Sequence, residues 1–264
     1  MHSIWTGTIS FGLIHIPVRL YTAAEARTLK FKYLHKDDMC PISYARVCRK
    51  TGEEVAYEDI VKGYEYRKGD FVIMEDEDFK KADVEKTQTI EISEFVNARD
   101  IDEKFFDKPY FLEPTKEARK AYVLLREALK KSGKVGIGRF VLRNKEHLAA
   151  IEPDNEVIVL NQMRFPEELR SSEDLDIPKK VEFSKKELDI ALQLVEQLSE
   201  PFEPEKYKDT YTQKLKNVIE KKAKGEMIRV EKGQKMKVTE APDIMEILKK
   251  SLEAARKKEV KSHK

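Results

Sequence analysis

Ile4-Trp5-Thr6-Gly7-Thr8-Ile9-Ser10-Phe11-Gly12-Leu13-Ile14-His15-Ile16-Pro17-Val18-Arg19-Leu20 decides how this chain folds. Apolar residues recur at Trp5, Ile9, Phe11, Ile16 and Val18, while Gly7, Gly12 and Pro17 interrupt any helical run. Two short runs joined through a glycine read as strand, turn, strand, and so as a hairpin. Working outward, apolar or alternating runs recur at 64–74, 87–96, 134–143, 148–151 and 157–160, with Pro153-Asp154-Asn155-Glu156 as a turn between the last two. Short strands at this spacing predict a β-barrel or sandwich core.

Helices are expected at four places. One follows Pro114 with Thr115 as its cap, carries Ala118, Tyr122, Leu125 and Leu129 on a stripe, and ends before Gly133. A second starts at Ser184 with Glu187 three residues on, the reciprocal pattern of a capping box, and runs through Leu188, Ala191, Leu192, Val195 and Leu198 until Pro201. A third spans 209–224 ahead of Gly225. A fourth starts at Asp243, with Met245, Leu248, Leu252 and Ala255 at helical spacing. Between the last two, 226–242 is polar and aperiodic and reads as a linker. The final apolar stripe either folds back on the chain's own core or fits the groove of another protein; the linker before it favours the second.

The 264 residues suffice for a real hydrophobic core. The 51 Lys and Arg nearly cancel the 49 Asp and Glu, leaving +2 overall, but the charges are segregated. Residues 1–50 carry +5, 51–125 carry −8, 126–150 carry +5, 151–205 carry −9 and 206–264 carry +9. Basic blocks set off by acidic ones suit a protein with one surface on a polyanion, although solvated faces give the same pattern. No run of 18 apolar residues exists, so neither a membrane span nor a membrane partner is expected. Cys40 and Cys48 are too few for a disulfide framework and fit a reducing cytoplasm.

Signatures of catalysis are sparse. The five histidines form no i, i+4 pair, and Cys40 and Cys48 lack the closely spaced partners of a zinc site. Gly136 and Gly138 precede no Gly-Lys-Ser/Thr, so no phosphate loop is present. Glu75, Asp76, Glu77 and Asp78 could hold Mg²⁺ in an end-processing nuclease, but consecutive carboxylates after a strand more often open a helix. No cofactor is expected. The densest basic stretch inside the folded region is Lys130, Lys131, Lys134, Arg139, Arg143 and Lys145. On a strand, Arg139, Val141 and Arg143 would share a face, with the two guanidinium groups rooted about 13 Å apart. Aromatic residues are not interleaved with these charges, which favours duplex backbone contact over a stacking platform.

The opening string 4–21 closely resembles the start of the bacterial Ku proteins, DNA-end-binding factors of non-homologous end joining. Leu34-His35-Lys36, Tyr44 to Cys48, Gly52 to Val55, Lys108 to Pro114, Val135 to Ala150 and Asp209-Thr210-Tyr211 resemble the same family, in order, along nearly the whole chain. The resemblance implies an α+β protein with a β-barrel core and a DNA-encircling bridge over 1–180. It further implies a helical dimerisation arm over 181–225, and, after the linker, a ligase-binding and basic tail over 243–264. It implies a cytoplasmic, nucleoid-associated homodimer without catalysis of its own that threads onto double-stranded DNA ends and recruits an ATP-dependent DNA ligase. A single chain of this length has a radius of gyration of only ~18 Å, so two copies suit the enclosure of a duplex.

Resemblance and charge together make Arg19, Lys30, Lys32, Lys131, Lys134, Arg139, Arg143 and Lys145 the candidate DNA contacts. Met245, Leu248 and Leu252 are the candidate partner-binding face. Dimer contacts are expected around the Leu188 and Tyr211 helices and the strands after Lys134. Some relatives carry a Cys-rich patch after the His-Lys motif. Here Thr51 stands three after Cys48 and Asp38 precedes Met39, so no metal is carried over.

Overall fold

The computed structural model describes residues 1–82, 88–178, 180–226 and 245–253. The chain divides into two compact units, Met1–Ser172 and Glu173–Lys264.

In the first unit, β1 (Trp5–Phe11) and β2 (Ile14–Thr22) form the expected hairpin, closed by the two-residue turn Gly12-Leu13. Gly12 has φ +57, a conformation that a side chain would strain. The chain then leaves the sheet and makes a separate antiparallel hairpin, β3 (Lys62–Arg67) and β4 (Asp70–Met74), followed by α1 (Asp76–Ala82). The acidic run therefore opens a helix, where Asp76, Glu77 and Asp78 meet the positive end of its dipole. Five further strands complete the unit: β5 (Thr89–Asn97), β6 (Phe106–Pro114), β7 (Lys134–Leu142), β8 (Lys145–Asp154) and β9 (Val157–Met163). They close a barrel in the order β1-β2-β6-β9-β8-β7-β5. Every pairing is antiparallel except the parallel seam of β1 on β5, where Thr8, Ile9 and Ser10 face Thr89, Ile90 and Glu91.

Period-two alternation fills the barrel interior with Ile9, Ile16, Val18, Leu20, Ile90, Leu112, Phe140, Ile151, Ile158 and Leu160, all essentially without solvent contact. Gly138 is required for closure: a Cβ there would stand 2.3 Å from the Glu91 carbonyl oxygen on the neighbouring strand.

One helix completes this core. α2 (Arg119–Ser132) connects the end of β6 to the start of β7, and therefore lies at one end of the barrel. Its Tyr122, Leu125 and Leu129 join the barrel core, and Gly133 in the left-handed region terminates it. Thr115 is not its cap. The helix is preceded by a turn in which the Ala118 N–H donates to the Thr115 carbonyl, and Ala118 occupies the cap position without a side-chain bond. The Tyr122 hydroxyl donates to the Leu112 carbonyl and accepts from the Ile158 N–H, both at 2.6 Å. Leu112 and Ile158 are opposite one another on β6 and β9, so the hydroxyl bridges the two strands.

In the second unit, α3 (Lys185–Gln197) begins with the capping box of Ser184 and Glu187, and α4 (Thr210–Ala223) is capped by Asp209. Residues 245–253 are helical. The linker reading over 226–242 falls, from 227 on, outside the described residues, as do Asp243 and Ala255.

Candidate nucleic-acid interface

Because β2, β1, β5 and β7 are consecutive in the barrel, their outward residues form one continuous face. Ile9, Ile16, Ile90, Ile92 and Phe140 point inward, which by parity turns Thr6, Thr8 and Ser10 of β1, Glu91 of β5 and Arg139 of β7 outward. Arg19 stands on β2 opposite Thr6 on one side and Glu113 of β6 on the other. At the level of Arg139 the register runs through Glu91 and Ser10 to His15. The face therefore carries three hydroxyls and the Glu91 carboxylate between two arginines, three strand spacings across and four residues apart in level, or roughly 20 Å. Hydroxyls and guanidinium groups are the donors that contact sugar and phosphate without reading bases. Sequence reasoning missed Thr6, Thr8 and Ser10; the signal for them was their alternation with Trp5, Ile9 and Phe11.

Both arginines are solvent-accessible and have carboxylate neighbours. Arg19 Nη1 lies 4.0 Å from Glu113 Oε2, an oxygen that also accepts from the Tyr21 hydroxyl at 2.6 Å. That bond pushes the Tyr21 phenol pKa up. Arg139 Nη1 lies 3.6 Å from Glu146 Oε2 and stands opposite Glu91 on β5. Exposed pairs at these distances are weak and exchangeable.

Lys130 to Lys145 is not one patch. Lys131 sits in the last turn of α2 and Lys134 begins β7 at the helix end of the barrel, whereas Arg143 and Lys145 lie where β7 turns into β8. Nine residues of strand put these groups ~30 Å apart, with Arg139 between them. Nor does Arg143 share the outer face with Arg139 through alternation. The strand stops at Leu142, and Arg143 (φ 53) with Asn144 (φ 64) forms a two-residue turn whose residues both have positive φ. Lys145 Nζ lies 3.5 Å from Glu168 Oε1. Lys30 and Lys32 are exposed on the irregular segment after β2.

Beside Lys145 is a polar cleft of about 180 Å³ lined by Asp107, His147, Gln162, Arg164 and Glu168. Arg164 is held there by the Lys104 carbonyl at 3.1 Å, the Phe106 carbonyl and Asp107 at 3.0 Å, which assigns it to fixing the start of β6. Burial, and then the Lys145 charge, push the His147 pKa down. The Phe165 N–H bonded to Glu168 holds that carboxyl below its ordinary value.

Among the described residues no three His, Cys, Asp or Glu side chains are grouped to hold a metal ion. Within the acidic run, Asp78 accepts from the Glu75 N–H at 3.1 Å and pairs with Lys81 at 3.5 Å, and Asp76 pairs with Lys62 at 3.7 Å. Cys40 and Cys48 are free thiols. Among the described residues no helix is long and apolar enough to cross a membrane. Met245, Leu248 and Leu252 are all part-buried on the 245–253 helix, where Glu246 pairs with Lys250 at 2.5 Å.

Comparison with known proteins places this barrel. Residues 10–190 match the Ku70/Ku80 beta-barrel domain family. The non-homologous end joining protein Ku of Coxiella burnetii is 43% identical over 266 residues, covering 98% of this chain and 96% of its own. Its namesake in Opitutus terrae is 45% identical over 223 residues, 84% of this chain and 80% of the relative. That of Bacillus subtilis is 38% identical over 259 residues, 97% and 83% respectively. A closed seven-stranded barrel, its outer face of arginines and hydroxyls, and this identity over almost the full length lead to one conclusion: the chain belongs to the Ku family of non-homologous end joining proteins.

Proposed function

We propose that this protein is a homodimer that encloses double-stranded DNA ends without reading their sequence, shields them, and recruits an ATP-dependent DNA ligase. The observation that carries the reading is the outer face of β2, β1, β5 and β7, where Arg19 and Arg139 flank Thr6, Thr8 and Ser10. Such a surface supplies phosphate contacts and no preformed base readout. Arg143 and Lys145, and at the opposite barrel end Lys131 and Lys134, extend the positive potential along the strands, and Lys30 and Lys32 add to it on the segment after β2. The names of the relatives, which place them in non-homologous end joining, support the same assignment.

Dimerisation is supported by what one chain leaves uncovered. The β3–β4 hairpin exposes Tyr64, Phe71, Val72 and Ile73, and a two-stranded sheet is marginal in water by itself. On α3, Leu188, Leu192 and Val195 are exposed along one stripe, which Leu198 continues just past the helix end. A second copy covers such surfaces most simply. The 245–253 helix presents Met245, Leu248 and Leu252 at docking spacing for the ligase.

A mobility shift with a linear duplex and a closed circle of the same sequence tests the central claim. Binding to the linear form alone, retained when the ends are ligated shut, is the expected result; equal binding to both forms refutes enclosure. Log affinity should fall with log salt at a slope near −0.9 per neutralised phosphate. Arg139→Ala with Arg143→Ala should weaken all duplexes alike, and Leu248→Ala with Leu252→Ala should abolish ligase recruitment while leaving end binding intact.

A further inference from the structure

Arg19 is kept apart from the carboxylate it faces, and the group that separates them is the Tyr21 hydroxyl. Val18 and Leu20 point into the barrel, which turns Arg19 and Tyr21 to the same outward side of β2. On β6, Leu112 is buried and Glu113 therefore faces outward, directly opposite Arg19 and diagonal to Tyr21, whose own partner is Phe111. Diagonal neighbours across a sheet lie within reach of long and aromatic side chains. Tyr21 uses that reach: its hydroxyl donates to Glu113 Oε2 at 2.6 Å, the length of a charge-assisted O–H···O⁻ bond. Arg19 Nη1 stands 4.0 Å from the same oxygen, beyond hydrogen-bond distance, although both side chains are 55% exposed. The bond to Glu113 pushes the phenol pKa up, while Arg19, also beside the hydroxyl, pulls the other way. Tyr21 thus stays a donor at neutral pH, and the carboxylate oxygen nearest the guanidinium is already bonded.

An arginine and a glutamate opposite one another on neighbouring strands form, with nothing between them, a charge-assisted pair of up to two hydrogen bonds. Such a pair occupies the N–H groups that a phosphate needs. We propose that Tyr21 is a positioning residue of the DNA face: its hydroxyl holds the Glu113 carboxylate off Arg19 and leaves the guanidinium open to a backbone phosphate. The inference rests on the DNA-end reading above and deepens it, because it says what keeps one arginine of that face available. A phosphate arriving at β2 meets N–H groups that are not locked in an ion pair. The device acts on a backbone contact, so its effect is the same for every duplex sequence.

The probe is a fluorescein-labelled blunt duplex bound to the full chain at a series of salt concentrations. Tyr21→Phe keeps the ring and removes the hydroxyl, so Glu113 closes on Arg19 and the duplex should bind about threefold weaker, the worth of one exposed ion pair that a phosphate must then displace. The log-log salt slope should become shallower by about 0.9 for each Arg19 withdrawn from a phosphate, a change that a merely structural loss does not produce. In a Glu113→Gln background Tyr21→Phe should leave affinity and slope unchanged, because no carboxylate remains to close on Arg19. Unaltered affinity of Tyr21→Phe, with Arg19→Ala still weakening the duplex, overturns the proposal and leaves the DNA face standing. A loss of the same size in the Glu113→Gln background overturns it as well, and makes the hydroxyl a DNA contact in its own right. If Arg19→Ala binds duplex as the unaltered protein does, Arg19 is no part of the face, and this inference falls together with that part of the end-binding reading.

Discussion

Replacing Tyr122 with Phe removes a single oxygen from the place where α2 meets the barrel. The ring stays, so its packing with Leu125 and Leu129 in the core is retained and no large cavity forms. What is lost is a donor to the Leu112 carbonyl and an acceptor for the Ile158 N–H, each at 2.6 Å. Both residues are fully buried, so water cannot replace the hydroxyl. A buried group left unpaired costs about 1–3 kcal/mol, and two of them give roughly 2–4 kcal/mol once some relaxation is allowed. At about 2–4 °C per kcal/mol for a domain of this size, the melting temperature should drop by about 5–15 °C. Urea unfolding should show the same loss as a lower midpoint at an unchanged slope. A loss below about 0.5 kcal/mol would mean that Leu112 and Ile158 close on each other directly, and the claim that α2 bridges β6 and β9 through this hydroxyl would fail.

Gly138→Ala places a methyl 2.3 Å from the Glu91 carbonyl oxygen, a backbone atom that cannot swing away, and should cost about 1–3 kcal/mol; an unchanged urea midpoint would refute the close approach. His147 is half-buried near Lys145, Asp107 and Glu168, and its pKa in the folded chain lies below the ordinary 6.5. The unfolded chain therefore takes up the proton first, so stability is complete above pH 6.5 and declines as pH falls below it. His147→Gln should flatten that decline in urea midpoints measured between pH 7.5 and 5.5, and an equal decline in the variant would assign it to other groups. Glu146→Gln frees Arg139 from its carboxylate, so duplex affinity at low salt should rise; unchanged affinity would remove Arg139 from the DNA face.

Local rules were enough for much of this architecture. The hairpin at Gly12, the capping box at Ser184 and Glu187 and the stop at Gly133 each depend on residues a few positions apart, which a sequence displays directly. β6 was not among the expected strands, because Pro109 interrupts the strand signal and Phe106 to Pro114 shows no clean alternation. Its place was decided by pairing with β2 and β9, a long-range contact that period and propensity do not carry.

The basic residues divide in the same way. That 126–150 is positive is a property of the chain, and so is the run of β-branched and aromatic residues that makes 134–142 a strand. That Lys134 and Lys145 stand at opposite ends of a barrel, that Arg143 is in a turn and not on the face, and that Arg19 and Arg139 flank three hydroxyls and the Glu91 carboxylate are tertiary outcomes. They follow from strand order and register, which are set by closing the barrel around Ile9, Ile90, Leu112, Phe140 and Ile158. Burial of those side chains fixes the parity of their strands, and within a strand parity decides which charges face outward.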